Sequence, residues 1–292
     1  MSRARAPVLV AALVMVVWGA SPAMTKIAAR DLSSLEVGVL RTLLAGLVAA
    51  PIVLATRERL PVTGRHRWLL LVSAISGFVA FPILYSIGQG RTSAMHGNMI
   101  LAALPIFTGG YAALLDRRRP SRAWIAGSAV ALAGESVLVA VRSGDGGAAA
   151  SYGGDALVVG AAMIVAFGYV AGARLGQGDY RALAATYWGV IIAGIIMLPV
   201  LAGTIAVDGL PSAGLESWGA IAWMAVVTSI VGYIGWYWAL ARGGIQRIAT
   251  IQFLQPFSGL LIAAWLLGER FTVPLVLASS VILAGVTITQ RR

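Results

Sequence analysis

No cysteine occurs in the chain, histidine occurs twice, and only 11% of the residues are charged. The first absence excludes disulfides, thiolate nucleophiles and cysteine-ligated metals. The second leaves His66 and His96, too few and too far apart for an HExxH metal helix, and no GxSxG nucleophile turn occurs. Acids are the scarcer charge, 11 against 22 Lys and Arg. The resulting +11 could suit nucleic acid. The arginines, however, lie scattered between apolar segments rather than gathered in a patch, so no nucleic-acid partner is expected. With so few convergent catalytic groups, neither an enzyme nor a cofactor is expected.

What the chain has in excess is grease: 59% of its residues are hydrophobic and its mean hydropathy is +0.86. A soluble domain usually carries about 25% charge. The excess calls for an apolar solvent, and a bilayer core takes about 20 helical residues per crossing. Ten such segments can be read, near 6–28, 36–55, 67–89, 94–115, 122–141, 153–174, 184–206, 217–241, 246–267 and 273–289. Their continuous apolar runs argue against the alternating pattern of a β-barrel. Ser2-Arg3-Ala4-Arg5 before the first run could open a signal peptide. That run is long for one and has a counterpart later in the chain. If the N-terminus is cytoplasmic, the outer side holds Lys26, Arg30, Arg41, Arg91, Arg142 and Arg270, leaving 16 of the 22 basic residues inside. This asymmetry predicts both termini on the cytoplasmic side.

The segments also repeat. Val130-Ala-Leu-Ala-Gly134 matches Val281-Ile-Leu-Ala-Gly285 at an offset of 151, which also pairs Pro105 with Pro256. Gly46 and Pro51 match Gly194 and Pro199 at 148, and Trp18-Gly19 lies against Phe167-Gly168 at 149. Two five-span halves follow, 1–142 and 153–292, joined by a Gly-rich linker at 143–152. Because five is odd, the second half enters the membrane inverted, a common transporter design with its substrate near the midplane. A duplication without transport, a channel or scaffold, and a membrane-embedded enzyme are the competing readings.

Ten spans in two repeats, Trp18-Gly19 in the first span and Leu267-Gly-Glu-Arg270 after the ninth resemble the EamA-like branch of the drug/metabolite transporter superfamily. Within it the chain looks most like the YddG-type amino-acid exporters of bacterial inner membranes. The resemblance implies a central cavity lined by spans one, three, four, six, eight and nine. It also implies export of aromatic and other neutral amino acids or related metabolites by alternating access. Multidrug or quaternary-cation export is the alternative. Small multidrug-resistance relatives carry a glutamate in span one, whereas Val16-Val-Trp-Gly-Ala-Ser-Pro22 has no carboxylate.

Candidate substrate contacts lie on those helices. Trp18 is too deep for the interfacial belt and precedes the kink expected at Pro22. Pro105 and Pro256 should leave the carbonyls of Leu101 and Gln252 free. Asn98, His96, Gln252 and Gln255 offer polar groups, although such amides often only join helices. Phe81 and Tyr85 in one half, and Tyr233 and Trp236 in the other, could form aromatic walls, with Tyr169 as a further contact. Trp236, Tyr237 and Trp238 are close enough to Arg242 to favour a belt position instead. Gly168-Tyr-Val-Ala-Gly172 suits close packing within the chain, and a monomer is expected. Glu135, alone in an apolar run, needs a partner. Arg41 lies at similar depth, so a helix-locking Glu135–Arg41 ion pair is expected, with proton coupling and direct substrate contact as alternatives.

Overall fold

The computed structural model describes residues 5–91, 101, 103–142, 152–177, 180–255, 257–259, 262 and 273–289. Among them there are helices and turns but no strand. Six helical stretches are long and apolar enough to cross a membrane: Ala6–Ala28, Ser34–Thr56, Gly64–Gln89, Tyr152–Gln177, Ala182–Asp208 and Leu215–Gly243. Leu13, Leu47, Leu54, Ile195 and Leu198 are exposed along them, an apolar surface that fits lipid tails. The protein is a multi-pass membrane protein.

The first span is broken. Helix α1 (Ala6–Gly19) stops at Ala20, and α2 (Ser21–Ala28) restarts with Pro22 in its first turn. There the missing proline N–H costs nothing. Helix α3 (Ser34–Thr56) opens with a reciprocal capping box, Glu36 N–H donating to Ser33 Oγ and Ser33 N–H to the Glu36 carboxylate.

The third span runs α4 (Gly64–Ala74), a widened π segment (Ile75–Ala80) and α5 (Phe81–Gln89). Helix α6 (Leu104–Leu115) begins at a turn, with Pro105 in its first turn. The expectation of a proline inside a continuous fourth span is therefore corrected. Helices α7 (Arg122–Arg142), α8 (Tyr152–Gln177) and α9 (Ala182–Asp208) follow. The next span repeats the third: α10 (Leu215–Trp223), a π segment (Met224–Gly232) and α11 (Tyr233–Gly243). The two π segments begin 149 residues apart, the offset that pairs Trp18 with Phe167. Helix α12 (Ile245–Ala249) passes into a 3₁₀ turn (Thr250–Phe253), and α13 (Val273–Thr289) completes the described helices.

Glycine decides which helices touch. On α3 and α9, Gly46 and Gly194 face each other, so that a Cβ on Gly46 would lie 3.5 Å from Gly194 Cα. These two residues are equivalent in the repeat. Helices α7 and α13 meet at Gly127 and Gly285 in the same close manner. Helix α8 is enclosed by α4, α5, α6 and α11. Its Gly168 faces Ser76, and its Gly172 faces the Tyr237 ring, so both glycines of the GxxxG are covered by this chain.

Among the described residues, three ion pairs at the rims each join a residue before the linker to one after it: Arg30–Glu216 (3.1 Å), Arg174–Asp116 (2.5 Å) and Arg181–Glu58 (2.6 Å). Exposed pairs of this kind contribute about 0–1 kcal/mol each. The Asp31 carboxylate also ties the halves, accepting from Ser217 Oγ at 2.7 Å and Gly214 N at 2.9 Å. The Ser217 hydrogen bond, then that of Gly214, holds its carboxyl below the ordinary 3.8. Its contribution is present above that value and is lost as pH falls through the lower folded-state pKa. Thermal stability should therefore fall on acidification below about pH 4, and Asp31→Asn should flatten this part of the profile. Identical acid profiles for the two proteins would remove the assignment.

Candidate functional site

A π turn accommodates one extra residue and leaves backbone carbonyls without their usual partners. In a membrane interior each such carbonyl needs another donor. Here side chains supply them. Trp18 Nε1 donates to the Thr228 carbonyl at 3.1 Å, Tyr233 Oη to that of Gly77 at 3.1 Å, and Thr42 Oγ1 to that of Phe78 at 3.0 Å. The broken first span and the two widened spans are thus stitched together at one place.

That place is aromatic. Trp18 stacks on Tyr169 with centroids 5.6 Å apart, and lies 5.3 Å from Tyr233 and 5.6 Å from Trp236. Tyr169 also meets Tyr233 and Trp236 edge-on, each at 5.7 Å. Phe78 and Tyr237 extend the group, 4.3 and 5.5 Å from Tyr233. The Tyr233 hydroxyl donates to the Gly77 carbonyl. Tyr237 and Ser73 share a 2.7 Å hydrogen bond. Gly232 makes room: a Cβ there would collide with Trp18 Nε1.

Trp18, Tyr169, Tyr233 and Trp236 are therefore brought together in one buried cluster. Trp236 and Tyr237 are 0% exposed, which corrects the belt position expected from Arg242. Positions 233, 236 and 237 share one helical face, and it turns inward. Only Trp238 behaves as a belt residue, half-buried with the Arg242 guanidinium 5.8 Å over its ring. Phe81 and Tyr85 stack on each other at 5.3 Å. In that half the ring that touches Tyr233 belongs to Phe78, which lies within the π segment. Neither Phe78 nor Tyr237 stood among the expected contacts.

Arg41 reaches the same junction. Its side chain is 5% exposed, and Nη2 donates to Ser229 Oγ at 3.2 Å, beside the Thr228 that receives Trp18. Its Nε has no hydrogen-bond partner. Helix α3 lies along α9, whereas α7, which carries Glu135, lies along α13. The Glu135 side chain itself is outside the described residues. Among the described residues Arg41 has a serine rather than a carboxylate as its partner.

Gln252 is buried on the 3₁₀ turn, where its Oε1 accepts from Thr108 Oγ1 at 3.4 Å while Nε2 is unpartnered. The Leu254 N–H closes the 3₁₀ turn on the Ile251 carbonyl, and Pro256, which was expected to free the Gln252 carbonyl, lies outside the described residues. Gln255 is half-buried, and its carbonyl accepts from Ser258 Oγ at 2.8 Å. That is the crossing where Gly19 approaches Gly259. His96, Asn98, Pro256 and the Leu267–Arg270 motif lie outside the described residues.

Buried polar groups at the junction of broken apolar helices define a class of protein, the membrane transporters, in which irregular helices mark the site. The particular family follows from comparison: the chain belongs to the EamA-like transporter family, whose profile matches residues 5–140 and again 152–290. An uncharacterized transporter, YdeK, of Bacillus subtilis is 28% identical over 95% of this chain and 94% of its own. A probable amino-acid metabolite efflux pump of Salmonella typhimurium is 28% identical over 95% of this chain and 92% of its own. A probable terminal-alkyne amino-acid exporter of Streptantibioticus cattleyicolor is 27% identical over 77% and 73%. A solved crystal structure at 18% identity superimposes with a TM-score of 0.78, covering 97% of this chain and 95% of that one, and shares the fold.

Proposed function

We propose that this transporter exports amino acids, aromatic and other neutral ones, or closely related small metabolites across a bacterial inner membrane. It works as a monomer with ten spans in two inverted halves, 1–142 and 153–292, and both termini cytoplasmic. The halves rock about the aromatic cluster, exposing it alternately to each side. The observation that carries the reading is the meeting of Trp18, Tyr169, Tyr233 and Trp236 where three irregular spans join. Such rings stack on an aromatic or aliphatic side chain, and each well-placed ring pair contributes about 0.5–1.5 kcal/mol beyond area burial. The efflux pump and the exporter among the relatives support the substrate class.

Reconstituted protein should exchange labelled L-phenylalanine and L-leucine against an excess of the unlabelled amino acid, with saturation. Exclusion of both while tetraphenylphosphonium enters would support multidrug export instead. Linear, unsaturable flux would point to a channel.

A further inference from the structure

We propose that Arg41 is the carboxylate anchor of this site, so that its substrates must carry a carboxylate beside an apolar or aromatic body. The inference deepens the carrier reading and rests on it. A guanidinium carries five N–H donors and one positive charge. Among the described residues Arg41 spends one donor on Ser229, and its Nε is buried without a partner. The side chains that meet around the junction are otherwise the phenols and indoles of Tyr169, Tyr233, Trp18 and Trp236. Neutral phenols do not balance a cation at this depth, where an unpaired charge is costly.

A second observation points the same way. Trp236 Nε1 is also buried and unpartnered, and its ring lies against Tyr169 and Trp18. Indole N–H is a donor only. Each of these buried N–H groups is unused, and with the positive charge of Arg41 the chemistry that completes them is an anionic oxygen acceptor. A carboxylate fits the planar fork of arginine through two parallel hydrogen bonds. Cations are disfavoured by the same charge. Neutralising Arg41 on binding would also lower the cost of moving the loaded site through the membrane interior.

The test uses the full-length protein in nanodiscs and four probes that share a phenyl group. L-Phenylalanine and 3-phenylpropionate carry the carboxylate; L-phenylalaninamide and phenethylamine lack it. The wild type should bind the first two at least tenfold more tightly than the last two, read from tryptophan fluorescence. In Arg41→Gln that preference should collapse below threefold. The melting temperature of the empty variant should stay level or rise, because an unpaired buried charge has been removed. Arg41→Lys should recover part of the preference, and Ser229→Ala and Trp236→Phe should each reduce it several-fold.

An unchanged preference in Arg41→Gln overturns the anchor. So does a large fall in its melting temperature, which would show the charge to be satisfied structurally. A wild type that binds phenylalanine and its amide equally tightly removes the anchor and leaves the carrier reading standing. A wild type that handles none of the four removes both.

Discussion

Gly232→Val should abolish exchange while leaving the protein in the membrane. The glycine ends the second π segment, and any Cβ there lands on the indole nitrogen of Trp18. Trp18 would have to leave its slot between Gly232 and Tyr169, breaking its hydrogen bond to the Thr228 carbonyl. A buried carbonyl left unpaired costs about 1–3 kcal/mol, and overpacking costs about 1–3 kcal/mol more. A loss of about 2–6 kcal/mol at the site would reduce exchange by roughly 30-fold or more at about 1.4 kcal/mol per tenfold. Exchange within threefold of wild type would show that the Trp18 slot is not used. Val231→Ala, an exposed position on the preceding residue, is the matched control and should exchange normally.

The second large effect is structural. Gly285→Leu should lower the melting temperature by about 6–12 °C, taking roughly 3 kcal/mol of overpacking and 2–4 °C per kcal/mol. A Cβ on Gly285 would lie 2.5 Å from Ala131 N and 2.7 Å from Gly127 O. These are backbone atoms that cannot rotate away, so α7 and α13 must separate along their length. Gly160→Leu and Gly203→Leu place the same side chain in open space and should melt like the wild type. Equal melting of all three variants would refute the packing account.

The contrast among these glycines bears on what a sequence can and cannot disclose. Spans were legible because lipid imposes a length and a composition on them: α3 runs Ser34–Thr56 where hydropathy alone placed 36–55. The repeat was legible wherever it preserved glycine or proline, as at Gly46 and Gly194. The π segments were not, because a widened turn adds one residue without altering composition. Phe78, the ring that meets Tyr233, lies within one of them.

Pro105 was read as a mid-helix break, yet it starts a helix, since hydropathy cannot distinguish a continuous span from two halves. Trp236 looked interfacial by its distance along the chain from Arg242. What decides its place is the helical face, which it shares with Tyr233 and Tyr237. Arg41 was read through charge alone, as half of an ion pair whose Glu135 side chain lies outside the described residues, and its serine partner 188 residues away left no trace in local pattern. Trp18, Tyr169 and Tyr233 were legible because large amphipathic rings deep in an apolar helix are difficult to place anywhere but an interior.

The central claim is that substrate rests among Trp18, Tyr169, Tyr233 and Trp236. It is tested most directly by photolabelling the protein in proteoliposomes with a diazirine derivative of L-phenylalanine and mapping the modified peptides. Adducts on α1, α8 and α11 at these residues, competed away by unlabelled phenylalanine, are the expected result. Adducts confined to lipid-facing positions such as Leu47 and Leu54, unaffected by competitor, would contradict it.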